Sequence, residues 1–339
     1  MALARLVVLF VWLSPLVSVA CTSFYWKSAE GSFLGKSYDW HHENALLITN
    51  KRHVKKTGFT MSPWEAGPQW VSKYGSLTFN QYGREFPNGG MNEEGLVVEV
   101  LWLSSSEYEG FDFRPVLNQL TWVQYQLDNF ALVSEVIEAL PKYRMSPIQG
   151  KIHYFLCDKT SNCAVVEWLH GKPVVHSGLD MEPKAITNSS YQESQSELQR
   201  INHPHDESSL SRFVRVASLL KMETPSLEHS FNLLESVAMT NLTTWNIVYN
   251  LDSKEIFYRT KSNPNLRSVK MSSFNYDCGT SPLMLNINEG KDSVDDRFSP
   301  FDYQHNYDLV TDGLNDVNFA WVLAPLLNRY PKTTYCINP

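Results

Sequence analysis

The amino-acid sequence predicts an α+β fold in which sheets and helices form separate layers. Strand-like runs form two blocks, one near the N-terminus and one after residue 242, and helical patterns lie between them. The 339 residues contain no internal repeat and no low-complexity tract, and 43% of them are hydrophobic, so the chain is able to bury a sizeable core. We therefore expect a layered α+β domain rather than a doubly wound parallel sheet.

Residues 1–20 have the features of a cleaved secretory signal. A single cation, Arg5, precedes an apolar run at residues 6–17, which is shorter than the about 20 residues that cross a bilayer. Small residues stand at the two positions that a signal peptidase reads. Cleavage there makes Cys21 the first residue of a single domain over residues 21–339. We expect this domain to be secreted or periplasmic, or on the secretory or lysosomal route of a eukaryote.

The predicted elements follow one another along this domain. The first hairpin turns at Glu30-Gly31, and an apolar run broken only by Glu99 predicts a mostly buried strand. Pro225 is suited to the first turn of a helix. In chain order the predicted strands are residues 22–26, 33–38, 95–103, 152–156, 164–168, 243–249 and 255–259, and the predicted helices are residues 116–129, 134–140, 210–222 and 226–237.

Five cysteines in an exported chain leave at least one thiol unpaired or bonded to another molecule. Cys157 and Cys163 flank a polar turn between two predicted strands, where opposed hairpin positions meet the distance limits of a disulfide. Cys278 and Cys336 lie in the last quarter of the chain, and we expect them to join the final segment to the body. Cys21 is then the free cysteine.

Charge and hydropathy exclude several classes of function. The formal net charge is −7 and no long basic run occurs, which argues against nucleic acid as a partner. No second apolar stretch is long enough for stable membrane insertion. The chain also lacks the G-x-S-x-G, Walker A and G-x-G-x-x-G sequences.

Histidines offer weaker alternatives. His203 and His205 with Asp206, or the pair His41 and His42, have the ligand types of a metal site, but no HExxH or paired CxxC motif accompanies them. We interpret both groups as solvated polar loops and expect no metal and no cofactor. A cysteine nucleophile assisted by one of the ten histidines stays open.

An N-terminal cysteine is able to supply both nucleophile and base. Its α-amine has an unperturbed pKa of about 7.7 to 8.0, so it accepts the thiol proton near neutral pH. Such a site also needs a carboxylate that orients the ammonium and polar donors for the oxyanion. A rival hypothesis is a lipid-anchored binding protein, because residues 18–21 (SVAC) loosely resemble a lipobox and lipidation would block both groups of Cys21.

Several ordered blocks make the resemblance to a known family specific. The chain resembles the choloylglycine hydrolase and penicillin V acylase family of N-terminal-nucleophile hydrolases. The blocks that carry the resemblance are residues 21–24 (CTSF), 35–40 (GKSYDW), 90–96 (GMNEEGL), 187–189 (TNS), 211–213 (SRF) and 243–260 (TTWNIVYNLDSKEIFYRT). The resemblance implies an αββα sandwich of two stacked antiparallel sheets, and members are often homotetramers.

The resemblance also implies roles for individual residues. Cys21 would be nucleophile and base, Asp39 would orient its amine, and Asn188, together with a backbone N–H, would support the oxyanion. Arg212 would stabilise the thiolate and the polar network. Lys36 stands where the family usually has arginine, so it keeps the charge but loses the bidentate fork.

The resemblance further implies a substrate class. Trp102 stands where bile-salt-cleaving members often carry an oxyanion asparagine, and with Trp40 it favours an apolar or aromatic acyl group. We expect penicillin V, N-acyl amino acids or acyl homoserine lactones as small-molecule substrates, with conjugated bile salts as the less favoured alternative. The loops at residues 59–75 are the part of the pocket that the sequence describes least.

Asn188 and Asn241 stand in N-x-S/T sequons, and a catalytic Asn188 should be too buried for a glycan.

Overall fold

The described part of the chain begins with a hairpin in which residues 22–28 pair antiparallel with residues 31–37. The computed structural model describes residues 20–147, 150–178, 181–200, 206–222, 224–315, 317 and 319–337. The strands that it contains are β1 Thr22–Ser28, β2 Gly31–Asp39, β3 Leu46–Asn50, β4 Val54–Thr57, β5 Gln69–Val71, β6 Ser76–Asn80, β7 Gly89–Asn92, β8 Val97–Trp102, β9 Val116–Leu117, β10 Arg144–Met145, β11 Ile152–Cys157, β12 Cys163–Leu169, β13 Lys172–Ser177, β14 Ala185–Ile186, β15 Thr243–Asn250, β16 Glu255–Thr260, β17 Arg267–Lys270, β18 Leu283–Asn286, β19 Asp292–Ser293, β20 Ser299–Pro300 and β21 Tyr335–Cys336.

Two large sheets contain most of these strands. One has seven strands in the order β14-β1-β2-β15-β16-β17-β19, and the other has nine in the order β13-β12-β11-β8-β7-β6-β3-β18-β20. Neighbours are antiparallel, except that β17 and β19 run parallel. The predicted antiparallel α+β arrangement is therefore confirmed.

Strand β8 shows how the layers form. Val97 and Leu101 belong to the apolar core shared with the seven-stranded sheet, whereas Val98 and Val100 face the other way and belong to a second core with helices. This alternation is the period of two that an extended strand imposes. Glu99 therefore points between the sheets, where the Tyr249 hydroxyl on β15 donates a hydrogen bond to it.

Helices cover the outer faces of both sheets. The α-helices are α1 Gln119–Asn129, α2 Val133–Ala139, α3 Tyr191–Leu198, α4 Ser209–Met222, α5 Leu227–Ser236, α6 Tyr303–Gly313 and α7 Ala320–Arg329. Helix α1 packs on β7 and β8, whereas α4 packs on β1 and β14, and α5 on β2 and β15. None of the helices among the described residues has the length and apolar content that a membrane crossing requires.

Two predicted helix starts need correction. Helix α1 begins at Gln119 rather than at residue 116, because the Asn118 side chain accepts the Leu120 and Thr121 N–H groups and caps it. Helix α5 is capped by Ser226, so Pro225 precedes the cap instead of occupying the first turn.

The structure contains the two expected disulfides, Cys157–Cys163 and Cys278–Cys336, and Cys21 is a free, buried cysteine. The first joins opposed residues of the β11–β12 hairpin. The second ties β21, which pairs with β4, to the segment before β18. Helices α6 and α7 lie within the loop that this second disulfide closes.

Candidate active site

Strand pairing brings Cys21 to Asn188. In the antiparallel register of β1 and β14, Ser23 faces Ile186, and the same register continued outward sets residue 21 opposite residue 188. The Cys21 N–H donates to Asn188 Oδ1 at 2.6 Å. Cys21 is only 2% exposed, so the thiol lies inside the protein at the start of the first strand.

Asn188 is fixed from three sides. Its Nδ2 donates to the Trp102 carbonyl at 2.8 Å, and its backbone N–H donates to Ser209 Oγ at 2.8 Å. These bonds engage the backbone N–H of Asn188 and one of the two hydrogens on its Nδ2. The expected role of Asn188 at the oxyanion stays a prediction.

Arg212 on α4 joins these groups. Its Nη1 donates to the Cys21 carbonyl at 2.8 Å and to Thr22 Oγ1 at 2.7 Å, and its Nη2 donates to Asn188 Oδ1 at 2.8 Å. The side chain is 1% exposed. Arg212 therefore holds the backbone of the cysteine and the amide of Asn188.

Asp39 ends β2 beside the cysteine. Its Oδ1 accepts the hydroxyl hydrogens of Ser37 at 2.8 Å and Thr243 at 2.6 Å. A bulge in the β2–β15 pairing between Thr243 and Trp245 aligns Thr243 with Asp39. Oδ2 is buried and has no hydrogen-bond partner among the described residues. Burial raises the pKa of the Asp39 carboxyl, and these hydroxyl contacts offset part of the effect.

Lys36 lies on the same strand and faces the other sheet. It is fully buried, and its Nζ donates to the Val100 carbonyl at 2.5 Å. The ammonium therefore bridges β2 and β8 behind the cysteine.

Burial and the neighbouring charged groups together determine the pKa of the Cys21 thiol. Burial raises its pKa, the charge of Lys36 lowers it, and Asp39 acts through its charge to raise it and through its backbone N–H to lower it. Arg212 contributes a smaller lowering. Burial prevails, so the thiol needs a base in order to become a nucleophile.

An apolar cavity of about 300 Å³ opens at Cys21. Trp40 and Trp102 line it, with ring centroids 6.0 Å apart, so the two predicted substrate-binding residues lie side by side next to the cysteine. His41 also lines the cavity and stacks on Trp40 at 4.7 Å between centroids.

The far wall of the cavity was not predicted from the sequence. It comes from Leu314, Val317, Leu323 and Leu327 in and around α6 and α7, and no residue of 59–75 lines the cavity. The expectation that those loops form the pocket is therefore wrong. Apolar residues at helical spacing in 320–329 were the available signal for α7.

The proposed metal ligands and the glycosylation sequons have separate outcomes. His203 and His205 are outside the described residues, and among those described no group of three His, Cys, Asp or Glu side chains is arranged to hold a metal ion. Asn241 is exposed in the turn before β15, whereas Asn188 is half-buried with its amide nitrogen bonded. Glycosylation of either sequon stays a prediction.

Comparison with known proteins agrees with this architecture. The penicillin V acylase of Pectobacterium atrosepticum is 25% identical over 340 residues, covering 83% of this chain and 89% of its own length. The structure of penicillin V acylase from Agrobacterium tumefaciens superimposes with a TM-score of 0.72 at 24% identity, over 83% of this chain and 98% of its own. A variant of the conjugated bile acid hydrolase from Clostridium perfringens gives a TM-score of 0.67 at 20% identity, over 80% of this chain and 98% of its own.

These neighbours confirm the N-terminal-nucleophile fold and the predicted relation to choloylglycine hydrolases and penicillin V acylases. The family model described as acyl-coenzyme A:6-aminopenicillanic acid acyl-transferase matches residues 26–256, which is more than half of the sequence. The chain therefore belongs to the acyl-coenzyme A:6-aminopenicillanic acid acyl-transferase family.

Proposed function

We propose that the protein is an amidohydrolase that cleaves the linear, non-peptide amide bond of N-acylated small amines, with Cys21 as nucleophile. One observation carries the proposal: the one free cysteine among the described residues lines an apolar cavity, with its backbone held by Asn188 and Arg212. The names of the relatives, penicillin V acylase and conjugated bile acid hydrolase, support the same reaction class.

The reactive form begins at Cys21. Removal of residues 1–20 converts the backbone nitrogen of Cys21 into an α-amine beside its own thiol, so that the amine takes the thiol proton. Asp39 Oδ2, buried without a partner among the described residues, is the acceptor for the resulting ammonium. Secretion of the chain provides the cleavage that this step requires.

The reaction then proceeds through an acyl-thioester. The thiolate of Cys21 adds to the amide carbonyl carbon, and the free Nδ2 hydrogen of Asn188 stabilises the oxyanion. The carbon–nitrogen bond breaks as the ammonium of Cys21 protonates the leaving amine. The same amine next takes a proton from water, whose oxygen attacks the thioester carbonyl carbon. The carbon–sulfur bond breaks, the carboxylic acid is released, and the ammonium returns its proton to the thiolate of Cys21.

Cavity chemistry supports an apolar or aromatic acyl group. The cavity walls are mostly aliphatic and aromatic, and Trp40 and Trp102 face the acyl position next to the sulfur. Penicillin V, N-acyl amino acids and acyl homoserine lactones fit this description better than conjugated bile salts, whose rigid ring system must pass the two tryptophans.

A substrate panel tests the proposal. The mature chain, with its free N-terminus verified by intact mass, is compared with Cys21→Ala and Cys21→Ser on penicillin V, N-acyl amino acids, acyl homoserine lactones and conjugated bile salts, with a chelator present. We expect the wild type to cleave the first three classes and Cys21→Ala to have no activity. Activity that survives Cys21→Ala, or that the chelator alone abolishes, contradicts the mechanism.

An N-terminally extended chain is the matched control for the amine. The same protein with one additional, uncleaved residue before Cys21 keeps the thiol but has no α-amine, so we expect it to be inactive. Native activity of this form would show that the amine is not the base. A mature mass increased by diacylglycerol and acyl groups would instead support the lipid-anchored binding protein.

A further inference from the structure

A buried histidine outside the catalytic constellation contacts the segment that carries Asn188. His153 lies on β11 with its side chain between the sheets and is 0% exposed. Its Nδ1 is 2.9 Å from Glu167 Oε1 on β12, and its Nε2 is 2.8 Å from the Thr187 carbonyl oxygen. Thr187 immediately precedes Asn188, so the histidine contacts the backbone next to the site.

Both partners of the ring are hydrogen-bond acceptors. Burial raises the pKa of the Glu167 carboxyl, but hydrogen bonds from His153 and the Tyr191 N–H, together with the neighbouring His176, prevail and lower it to about 2. Glu167 is therefore a carboxylate at neutral pH. A neutral imidazole has only one N–H, so two donated bonds require a proton on each ring nitrogen.

We propose that His153 is a positioning residue: as an imidazolium paired with Glu167 it holds the Thr187 carbonyl, and so sets the place of Asn188 beside Cys21. The role in turnover rests on the proposed function. Asn188 Oδ1 receives both Cys21 N–H and Arg212, so a displacement of the Thr187 backbone changes the contacts of the cysteine. A charge-assisted bond is the stronger way to hold this carbonyl.

The neighbours of the ion pair define the controls. His176 on β13 has its Nε2 3.6 Å from Glu167 Oε2 and its ring 4.8 Å from that of Tyr191 on α3, so it reaches the carboxylate side of the pair but not Thr187. Arg212 on α4 is the other charged group that meets the segment, through Asn188. Among the described residues, these groups and Glu167 are the charged or titratable neighbours whose effects differ from that of His153.

Two substitutions of His153 distinguish a positioning role from a role in packing alone. In His153→Gln the amide nitrogen takes the place of Nε2 and still reaches Thr187, whereas in His153→Asn it takes the place of Nδ1 and reaches only Glu167. We expect His153→Asn to lower kcat about 10- to 100-fold, the effect of losing one charge-assisted bond, with little change in KM. His153→Gln should restore kcat to within a few-fold of wild type, and the control His176→Gln should resemble wild type.

Nitrogen NMR of the labelled mature enzyme provides a readout that does not depend on turnover. We expect both ring nitrogens of His153 to carry protons at neutral pH. A ring with a single N–H, or equal kcat in the Asn and Gln variants, would overturn the proposal. If the wild type cleaves no amide, the proposed function fails but the role of His153 is still testable. The NMR result and the alkylation rate of Cys21 in the two variants then decide that role.

Discussion

Glu99 is a buried acid that lies between the two sheets and opposite the charge of Lys36. Its pKa is raised from an ordinary value of 4.5 to about 7, because the effect of burial exceeds the lowering by the charge of Lys36 and by the Tyr249 hydrogen bond. Gly89 on β7 leaves room for the carboxyl group, because a Cβ there would lie 2.4 Å from it. Glu99 therefore keeps its proton in the folded protein under conditions where the unfolded chain has lost it.

The raised pKa of Glu99 predicts a pH-dependent stability. Because the folded state binds the proton more tightly, the free energy of unfolding falls as the pH rises from about 4.5 to about 7, by about 3 kcal/mol at most. Glu99→Gln removes this contribution, and its amide oxygen is still able to accept the hydrogen bond from the Tyr249 hydroxyl. Denaturant unfolding at the two ends of this range should show a smaller decrease for Glu99→Gln than for wild type.

Glu138→Gln on the exposed face of α2 is the matched control. It should follow the wild-type pH dependence, since an exposed carboxyl has no comparable burial. The same slope in wild type and Glu99→Gln would contradict the assignment.

Helix α7 is the element that shapes the far end of the cavity. Leu323 and Leu327 line the cavity, while Leu326 on the same helix points to solvent and is 39% exposed. Helix α6 contributes the adjoining wall near Leu314. This part of the cavity wall therefore comes from a helix pair that is far in sequence from the strands carrying Cys21 and Asp39.

Leu323→Phe tests this role of α7. The larger side chain reduces the room at the end of the cavity, so kcat/KM for long acyl groups should fall about tenfold, with a smaller change for short acyl groups. Leu326→Phe places the same ring on the solvent face and should leave both values near wild type. Steady-state kinetics on a series of N-acyl amides of increasing acyl length measures the effect. Equal loss at every acyl length would indicate general misfolding and contradict the prediction.

At the scale of the whole molecule, the Cys278–Cys336 disulfide joins the C-terminal segment to the body. The cysteines are 58 residues apart, whereas Cys157 and Cys163 are 6 apart within one hairpin. A larger closed loop restricts the unfolded chain more strongly. Helices α6 and α7, which line the cavity, lie within the larger loop.

Removal of the two disulfides should therefore lower the free energy of unfolding by different amounts. Chain entropy predicts that Cys278→Ser with Cys336→Ser lowers the free energy of unfolding by about 4 kcal/mol, and that Cys157→Ser with Cys163→Ser lowers it by about 2 kcal/mol. Urea unfolding of the two double variants measures both. The reverse order of the two losses would contradict this account.

Local patterns in the sequence determined a large part of the fold. Alternating residues and turns specify hairpins such as β1–β2 and β11–β12, because cross-strand neighbours there are close in sequence. The predicted signal sequence, the unpaired Cys21 and the ordered motif blocks pointed to the same chemistry. The starts of α1 and α5 shifted, because a capping side chain determines where a helix begins.

Tertiary structure alone decided which groups meet. Cys21 and Asn188 touch across 167 positions of sequence through the β1–β14 register, and that register leaves the Asn188 N–H on Ser209. The cavity wall from α6 and α7, and the ion pair of His153 and Glu167, likewise depend on packing between distant elements. Sequence patterns report local conformation and burial, whereas the contacts of a buried polar group depend on how the two sheets stack, and no local period in the chain encodes that geometry.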